Sequence, residues 1–401
     1  MFREARCGRS TCARTRARRP TRNLRASPTT LRTWTIGRLP KEEKLSEIRI
    51  DRLRERLSAE GVDALLVTHP SNVRYMSGFT AGADASLLIS ATQALLATDF
   101  RYYEQVKRQA PAYRLFQAPN GLAAAFGDLA REAGARRIAF ESTHITYALY
   151  QDLAKVEGVE LVPEKGWVEE LRAVKSAEEL ALIRQAVAIS DAVIAALPHI
   201  LRPGMTEKEL AWEVEAFMHA RGAEDVAFPI IAASGPNGAM PHAVPSERRI
   251  VPGEPLTLDL GARVQGYCSD LTRTVCIGQP DDKFREVYGI VLKAQQAAEA
   301  GIKAGMLGKD ADALARQVIV DAGYGEAFGH GLGHGVGLDV HEFPRAGARS
   351  EDRLAPGMVV TVEPGIYLPG WGGVRIEDLV VVTESGIEIL SQATKDPVVV
   401  L

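Results

Sequence analysis

Residues 256–274 read LTLDLGARVQGYCSDLTRT. Two apolar and β-branched runs flank a turn-like segment at 263–266, so the stretch reads as a β-hairpin. Symmetric pairing puts its midpoint between Val264 and Gln265. Asp259 then lies directly across from Asp270 on one face, with Cβ atoms about 5 Å apart. The neighbours Leu258, Leu260 and Leu271 predict burial. Two buried carboxylates that close repel strongly, so a cation must sit between them or a proton must be held.

Residues 361–381, TVEPGIYLPGWGGVRIEDLVV, repeat the arrangement. Glu363 and Glu377 are symmetric about Gly370, and the Gly- and Pro-rich segment 369–373 supplies the turn. The preceding segments also match. RPGMTEKELAWEVEAFMHARG (202–222) aligns with KAGMLGKDADALARQVIVDAG (303–323), pairing Gly204-Met205 with Gly305-Met306 and Gly222 with Gly323. Capping boxes at Ser176/Glu179 and Thr206/Glu209 open two helices in the first copy. The carboxyl-terminal half therefore reads as two helix-helix-hairpin repeats, each delivering two carboxylates.

Between the hairpins lies AFGHGLGHGVGLDVHEFP (327–344), which holds His330, His334 and His341, three of the eight histidines. Its glycines disfavour a helix and let backbone approach a site closely. It contains no G-x-G-x-x-G, and Arg345 stands where a zincin would have its second histidine. Three histidines beside four buried carboxylates point to ligand or catalytic roles. His242 sits in a turn-rich loop, ASGPNGAMPHAVPS (233–246). Two divalent cations would neutralise the four carboxylates, with His334 as a neutral nitrogen ligand. Oxygen-rich ligation with one imidazole suits Mn²⁺, Co²⁺, Fe²⁺ or Zn²⁺. Such an ion pair can hold a hydroxide at neutral pH and clamp a carbonyl for hydrolysis.

The amino-terminal part reads differently. IRIDRLRERLSAEGV (48–62) predicts a helix ending at Gly61 with Ile48, Ile50, Leu53 and Leu57 inward. DALLVT, SLLIS, QALLATD, RIAFE and VELVP read as strands, with helices near 102–109 and 122–133. SNVRYMSGF (71–79) reads as loop. An α/β domain over 45–170 is expected, followed by an α+β catalytic domain over 171–401.

The chain of 401 residues is 46% apolar and 25% charged, the mix of a globular protein rather than a disordered, collagen-like or coiled-coil one. No uninterrupted apolar stretch reaches the ~18–20 residues of a membrane span. Residues 1–40 carry eleven Arg and one acid, so the rest of the chain carries about −13 of the net −3. A nucleic-acid-binding body is therefore not expected. Residues 1–44 read as a basic disordered leader or tail, with the composition of an organellar transit peptide as the alternative. Cys7 and Cys12 lie in it. Cys268 and Cys276 lie in strands and make no disulfide framework, which suits a reducing cytoplasm.

At LDLGARVQGYCSDLTRT, GHGLGHGVGLDVHE, TVEPGIY and GVRIED the sequence resembles the pita-bread metallopeptidases: aminopeptidase P, prolidase and methionine aminopeptidase. The resemblance covers about residues 45–401. It implies five metal ligands at Asp259, Asp270, His334, Glu363 and Glu377, with Asp270 and Glu377 bridging two ions, manganese foremost. It implies Glu363 as general base and His242 and His341 as stabilisers of the tetrahedral intermediate. His330, Tyr367 and Arg375 match residues that line or support the substrate pocket. Arg345 resembles an arginine that receives the proline carboxylate in some microbial prolidases. The amino-terminal domain favours aminopeptidase P and prolidase, and implies a homodimer acting on proline-containing di- or oligopeptides. Prolidase is slightly favoured, with aminopeptidase P the alternative. A non-catalytic pita-bread binding module and a metal-free relative such as creatinase fit less well with five intact ligand types. No nucleic-acid or membrane partner is expected.

Overall fold

A computed structural model describes residues 42–400. The expectations for the basic leader, Cys7 and Cys12 included, lie outside the described residues. The first helix, Glu42–Glu60, starts slightly before Leu45 and buries Ile50, Leu53 and Leu57. Ile48 faces outward instead, at 46% exposure.

The amino-terminal strands build one six-stranded mixed sheet. Ala64–Val67 sits inside it, antiparallel to Ala85–Ser90 and parallel to Arg137–Glu141. All four of its residues are buried because both faces are covered. Leu65 and Val67 face one apolar core with the first helix, while Ala64 and Leu66 face another with Phe126 and Leu129. This is the period-two alternation of a strand, with apolar residues on both sides.

The segment expected as loop, 71–79, is instead mostly the helix Pro70–Ser77, ended by Gly78 in the left-handed region at φ 78°. Its apolar stripe is short, and buried Asn72 and Ser77 break the pattern that sequence periodicity relies on. Pro70 at its first turn costs no hydrogen bond there.

The two repeats are real at the level of single hydrogen bonds. The helices Ala177–Ile200 and Glu207–Ala220 correspond to Asp282–Gly301 and Gly308–Asp321. Both expected capping boxes are formed. Gly204 and Gly305 share φ near 80° (81° and 83°), a conformation that costs a side chain dearly. Arg249 donates to the Gly204 carbonyl, and Arg353 to that of Gly305. The amides of Ile250 and Leu354 donate to the carbonyls of Met205 and Met306.

Helix Ala177–Ile200 is apolar enough to cross a membrane by length and composition, at mean hydropathy 1.8. Here it is a core helix. Val193, Ile194 and Leu197 pack inward, Ser190 bonds Ser269, and Asp191 accepts from the amides of Gln392 and Ala393.

Each repeat ends in strands. Ile231–Ser234, Pro255–Leu260, Leu271–Ile277 and Val398–Val399 form a four-stranded sheet. Glu342–Ala346, Gly333–Gly335, Val359–Val362, Asp378–Val382 and Ile387–Ile389 form a five-stranded one. Cys268 and Cys276 are buried free thiols in strands.

Glu164, at the end of strand Glu160–Glu164, is buried and leaves its Oε1 without a partner. Burial pushes its carboxyl up to about 8 from an ordinary 4.5. The fold therefore holds a proton that the unfolded chain releases. Its contribution to stability is full below pH 4.5 and is lost as pH rises through 8. Glu164→Gln should gain melting temperature relative to the parent between pH 5 and pH 9, read by thermal melts; a pH-independent difference would contradict this.

Candidate metal centre

Both hairpins converge on one cavity of about 420 Å³. Its wall carries all five expected ligands, Asp259, Asp270, His334, Glu363 and Glu377, together with His242, His330, His341 and Arg375. Tyr367 lies behind it. The Tyr367 hydroxyl accepts from Arg375 Nη1 at 3.0 Å and faces His330 Nε2 at 2.8 Å. His330 Nδ1 lies 2.8 Å from the Gly331 carbonyl, which accepts its proton. Nε2 is then left to accept from the tyrosine.

The first hairpin differs from the symmetric expectation. Gln265 and Gly266, at φ 46° and 83°, form its tip, and Val264 pairs with Tyr267. Asp259 therefore lies opposite Thr272, and Asp270 is its diagonal neighbour. The slip is two residues, so period two keeps both aspartates on one face. Two consecutive left-handed residues suit the twist of a tight hairpin, which is why the turn sits there.

The second hairpin keeps the expected register and adds a bend. Val362 pairs with Asp378 in the five-stranded sheet, and Gly365 pairs with Arg375 in a two-stranded ribbon. The same register sets Glu363 opposite Glu377 where the chain passes from one ladder to the other. Their amides go elsewhere: Glu363 N–H to the Leu332 carbonyl, and Glu377 N–H to that of Thr272. The second of these bonds ties the two repeats together at the site.

Asp270, His334 and Glu377 each offer a ligand atom, all within 4.8 Å of one another. His334 Nε2 is 3.2 Å from Glu363 Oε1 and 3.7 Å from Asp270 Oδ2. His334 Nδ1 lies 3.2 Å from the Gly335 carbonyl, which orients the ring and aims Nε2 at the carboxylates, where it can serve an ion once deprotonated. Asp259 Oδ1 is buried with no hydrogen-bond partner. Among the described residues none donates a hydrogen bond to the Asp270 carboxylate. Buried carboxylate oxygens without donors are costly, and a divalent cation is the partner that this donor set fits.

Electrostatics agree. Burial, then the neighbouring carboxylates, push Asp270 and Glu377 well above the ordinary range. Burial raises Asp259 as well, opposed by Arg375. Glu363 goes the other way: burial opposes its charge, but the hydrogen bond and charge of His334 hold it down to about 2.

Arg375 corrects the charge count. Its guanidinium is buried in the site, with Nη2 2.5 Å from Asp259 Oδ2. The cluster thus carries three net negative charges rather than four, so two divalent ions leave room for one further anion. Two threonines were also not singled out by sequence. Thr272 Oγ1 donates to Glu377 Oε2 at 2.6 Å, and Thr361 Oγ1 donates to Glu363 Oε1 at 3.0 Å. Each sits two residues from a carboxylate on the same strand face, at Asp270 and Glu363. That spacing was a readable signal. The apolar wall of Phe228, Ile231, Val244 and Val340 was missed as well, because it assembles from three separate segments.

The loop bearing His341 is fastened to the amino-terminal half. Buried Arg172 donates to Asp339 Oδ2 at 2.7 Å, Glu342 Oε2 at 2.5 Å and Asn72 Oδ1 at 2.8 Å. Lys175 Nζ holds the other Glu342 oxygen at 2.6 Å. The His341 ring meets His334 edge-on at 4.2 Å. Arg345 is outside the inner cavity. It borders a wider one of about 1200 Å³ that shares His330, His334 and His341.

Stripping the protein of divalent ions should lower its melting temperature, and adding them back should restore it. Asp270→Asn should leave the stripped protein at least as stable, because burial and the neighbouring carboxylates already disfavour a charge at this position, while reducing metal uptake. Melting curves with and without chelator, and metal content by mass spectrometry, check both. Unchanged metal content in Asp270→Asn would contradict the assignment.

Residues 181–384 match the model of metallopeptidase family M24, and residues 49–174 match the Creatinase/Prolidase N-terminal domain. A Xaa-Pro dipeptidase structure from Bacillus anthracis is 43% identical at TM-score 0.85, covering 89% of this chain and all of that one. An X-Pro aminopeptidase structure from Thermotoga maritima is 38% identical at TM-score 0.80, covering 88% of this chain and 100% of that chain. The Xaa-Pro dipeptidase of Pyrococcus horikoshii is 36% identical over 351 residues, 87% of this chain and 98% of that protein. A prolidase structure from the same organism is 36% identical at TM-score 0.82, covering 87% of this chain and 99% of that one, and the fold of this chain is that of an α/β amino-terminal domain followed by a pita-bread domain. With its carboxylate-rich cavity and these matches, the chain belongs to metallopeptidase family M24.

Proposed function

We propose that this chain is a metal-dependent exopeptidase that hydrolyses the Xaa-Pro bond of dipeptides and short peptides, dipeptides being favoured. One observation carries the reading: the ligand cluster, Glu363, His242 and His341 share a single cavity with an apolar wall. A proline ring suits such a wall, and its tertiary amide brings no N–H that would need an acceptor. Relatives named Xaa-Pro dipeptidase support the substrate class.

In this reading Asp259, Asp270, His334, Glu363 and Glu377 hold two divalent ions, with Mn²⁺ preferred over Co²⁺, Zn²⁺ or Fe²⁺. The ions supply Lewis-acid polarisation of the scissile carbonyl and a water acidic enough to attack at neutral pH. Glu363 acts as general base. Thr361 fixes its Oε1, while no hydrogen bond engages Oε2 among the described residues. Oε2 can take the proton from water and deliver it to the proline nitrogen. His242 and His341 donate to the carbonyl oxygen as it gains charge. Arg375, locked to Asp259, Thr272 and Tyr367, holds the wall rigid. Residues 45–170 serve as the amino-terminal domain and 171–401 as the catalytic domain. On the family resemblance the working form is a homodimer in the cytoplasm.

Arg345 receives the proline carboxylate of a dipeptide. The wider cavity it borders also offers room for residues beyond proline, which supports aminopeptidase P as the second reading. Ala-Pro and Ala-Pro-Ala separate the two: hydrolysis of the tripeptide at a comparable kcat/KM would favour the aminopeptidase. Arg345→Ala should raise KM for Ala-Pro about tenfold, the loss of ~1.4 kcal/mol of binding, and leave kcat within about twofold. Glu363→Gln should keep the fold yet lower kcat by far more than the tenfold that ~1.4 kcal/mol represents. Survival of turnover within tenfold would rule out Glu363 as base.

A further inference from the structure

The loop 234–246 that carries His242 has little regular structure of its own: one short 3-10 turn at Gly235–Ala239, then irregular backbone. His242 itself is exposed at the cavity wall. Something outside the loop must fix where its imidazole points, because an unanchored loop of this length samples many positions.

One buried carboxylate holds both ends of it. Glu207 opens helix Glu207–Ala220 and is completely buried. Its Oε1 accepts from the Ser234 amide at 2.7 Å and the Ser234 hydroxyl at 2.8 Å. Its Oε2 accepts from the Ser246 amide at 3.0 Å and the Ser246 hydroxyl at 2.7 Å. Asn237 Nδ2 bridges both oxygens at 3.2 and 3.0 Å. Burial opposes the charge, but these donors more than offset it and hold the carboxyl below the ordinary glutamate value. Farther along the loop, Arg375 Nη1 donates to the Pro241 carbonyl at 3.3 Å, one residue before His242.

The repeat sharpens the point. Gly308 is the counterpart of Glu207 in the second copy, and a Cβ there would lie 2.1 Å from the Arg345 carbonyl. One copy needs a carboxylate where the other has room for no side chain at all. Glu207 is therefore not required by the helix-helix-hairpin plan. It answers to a feature of the first copy alone, the loop 234–246.

We propose that Glu207 is a positioning residue for His242: it staples the two ends of the loop and so sets the imidazole against the substrate carbonyl. The inference rests on the proposed role of His242. Glu207→Gln keeps the shape but turns one acceptor oxygen into a donor facing N–H and O–H groups, which loosens one end of the loop.

The test is a double-mutant cycle on Ala-Pro hydrolysis, with amide hydrogen exchange as an independent readout. Glu207→Gln should lower kcat about tenfold, short of the ~100-fold that a full 1 Å misplacement can cost, with KM within about twofold and metal content unchanged. In a His242→Ala background the same change should have no further effect on kcat. Amides of 237–243 should exchange faster while those of the helix 207–220 do not. Equal losses of kcat in both backgrounds, or unchanged exchange in the loop, would overturn the inference. A silent His242→Ala would instead overturn the role given to His242, and the exchange data would still decide whether Glu207 holds the loop. Should Glu207→Gln fail to fold, Ser246→Ala removes one donor only and should give the same pattern in smaller degree. Failure of that pattern would count equally against the staple.

Discussion

Four carboxylates gathered in a buried cavity repel one another, and the rest of the catalytic half is arranged to bear that repulsion. Arg375 compensates part of it within the protein, against Asp259. Divalent ions compensate the remainder. Burial first, and the neighbouring carboxylates second, push Asp270 and Glu377 well above the ordinary carboxylate range. The site stores electrostatic strain that a metal releases, and the surrounding hydrogen bonds keep the ligands from moving apart.

Those hydrogen bonds cross between the repeats. Thr272 of the first copy donates to Glu377 of the second, and the Glu377 amide returns a bond to the Thr272 carbonyl. Buried Arg273 donates to both the Thr272 and Glu377 carbonyls and pairs with Asp378. Duplication thus does more than supply ligands twice. It brings two strand ends face to face, so each half holds the other's carboxylate in place.

The supporting structure extends beyond the hairpins. Arg172 and Lys175 bind Glu342, the residue after His341, from the segment that follows the amino-terminal sheet. Glu207, at the start of a helix in the same copy of the repeat, holds both ends of the loop of His242. Both histidines sit on irregular backbone, and for both the anchoring charge is buried and remote in sequence. Flexible segments can hold a side chain accurately when charged hydrogen bonds fix their ends.

Much of this was legible in the sequence. Alternating polarity around Asp259, Asp270, Glu363 and Glu377, the internal repeat and the glycine-rich histidine run are local patterns, and local patterns survive without coordinates. The helix Pro70–Ser77 was missed because buried Asn72 and Ser77 interrupt its short apolar face, and part of what holds it is remote: Ser71 donates to Asp339, 268 residues away. The first hairpin's register was off by two because a turn at Gln265-Gly266 depends on backbone dihedrals, not on symmetry of composition. Sequence determined which residue types would meet and on which strand faces, since side-chain period is fixed by backbone geometry. Only the tertiary structure decided that Arg375 enters the cluster, that Thr272 and Thr361 orient its carboxylates, and that Glu207 reaches the loop of His242. Those contacts join residues far apart in the chain, and nothing in one-dimensional spacing encodes which distant charge will be buried beside which.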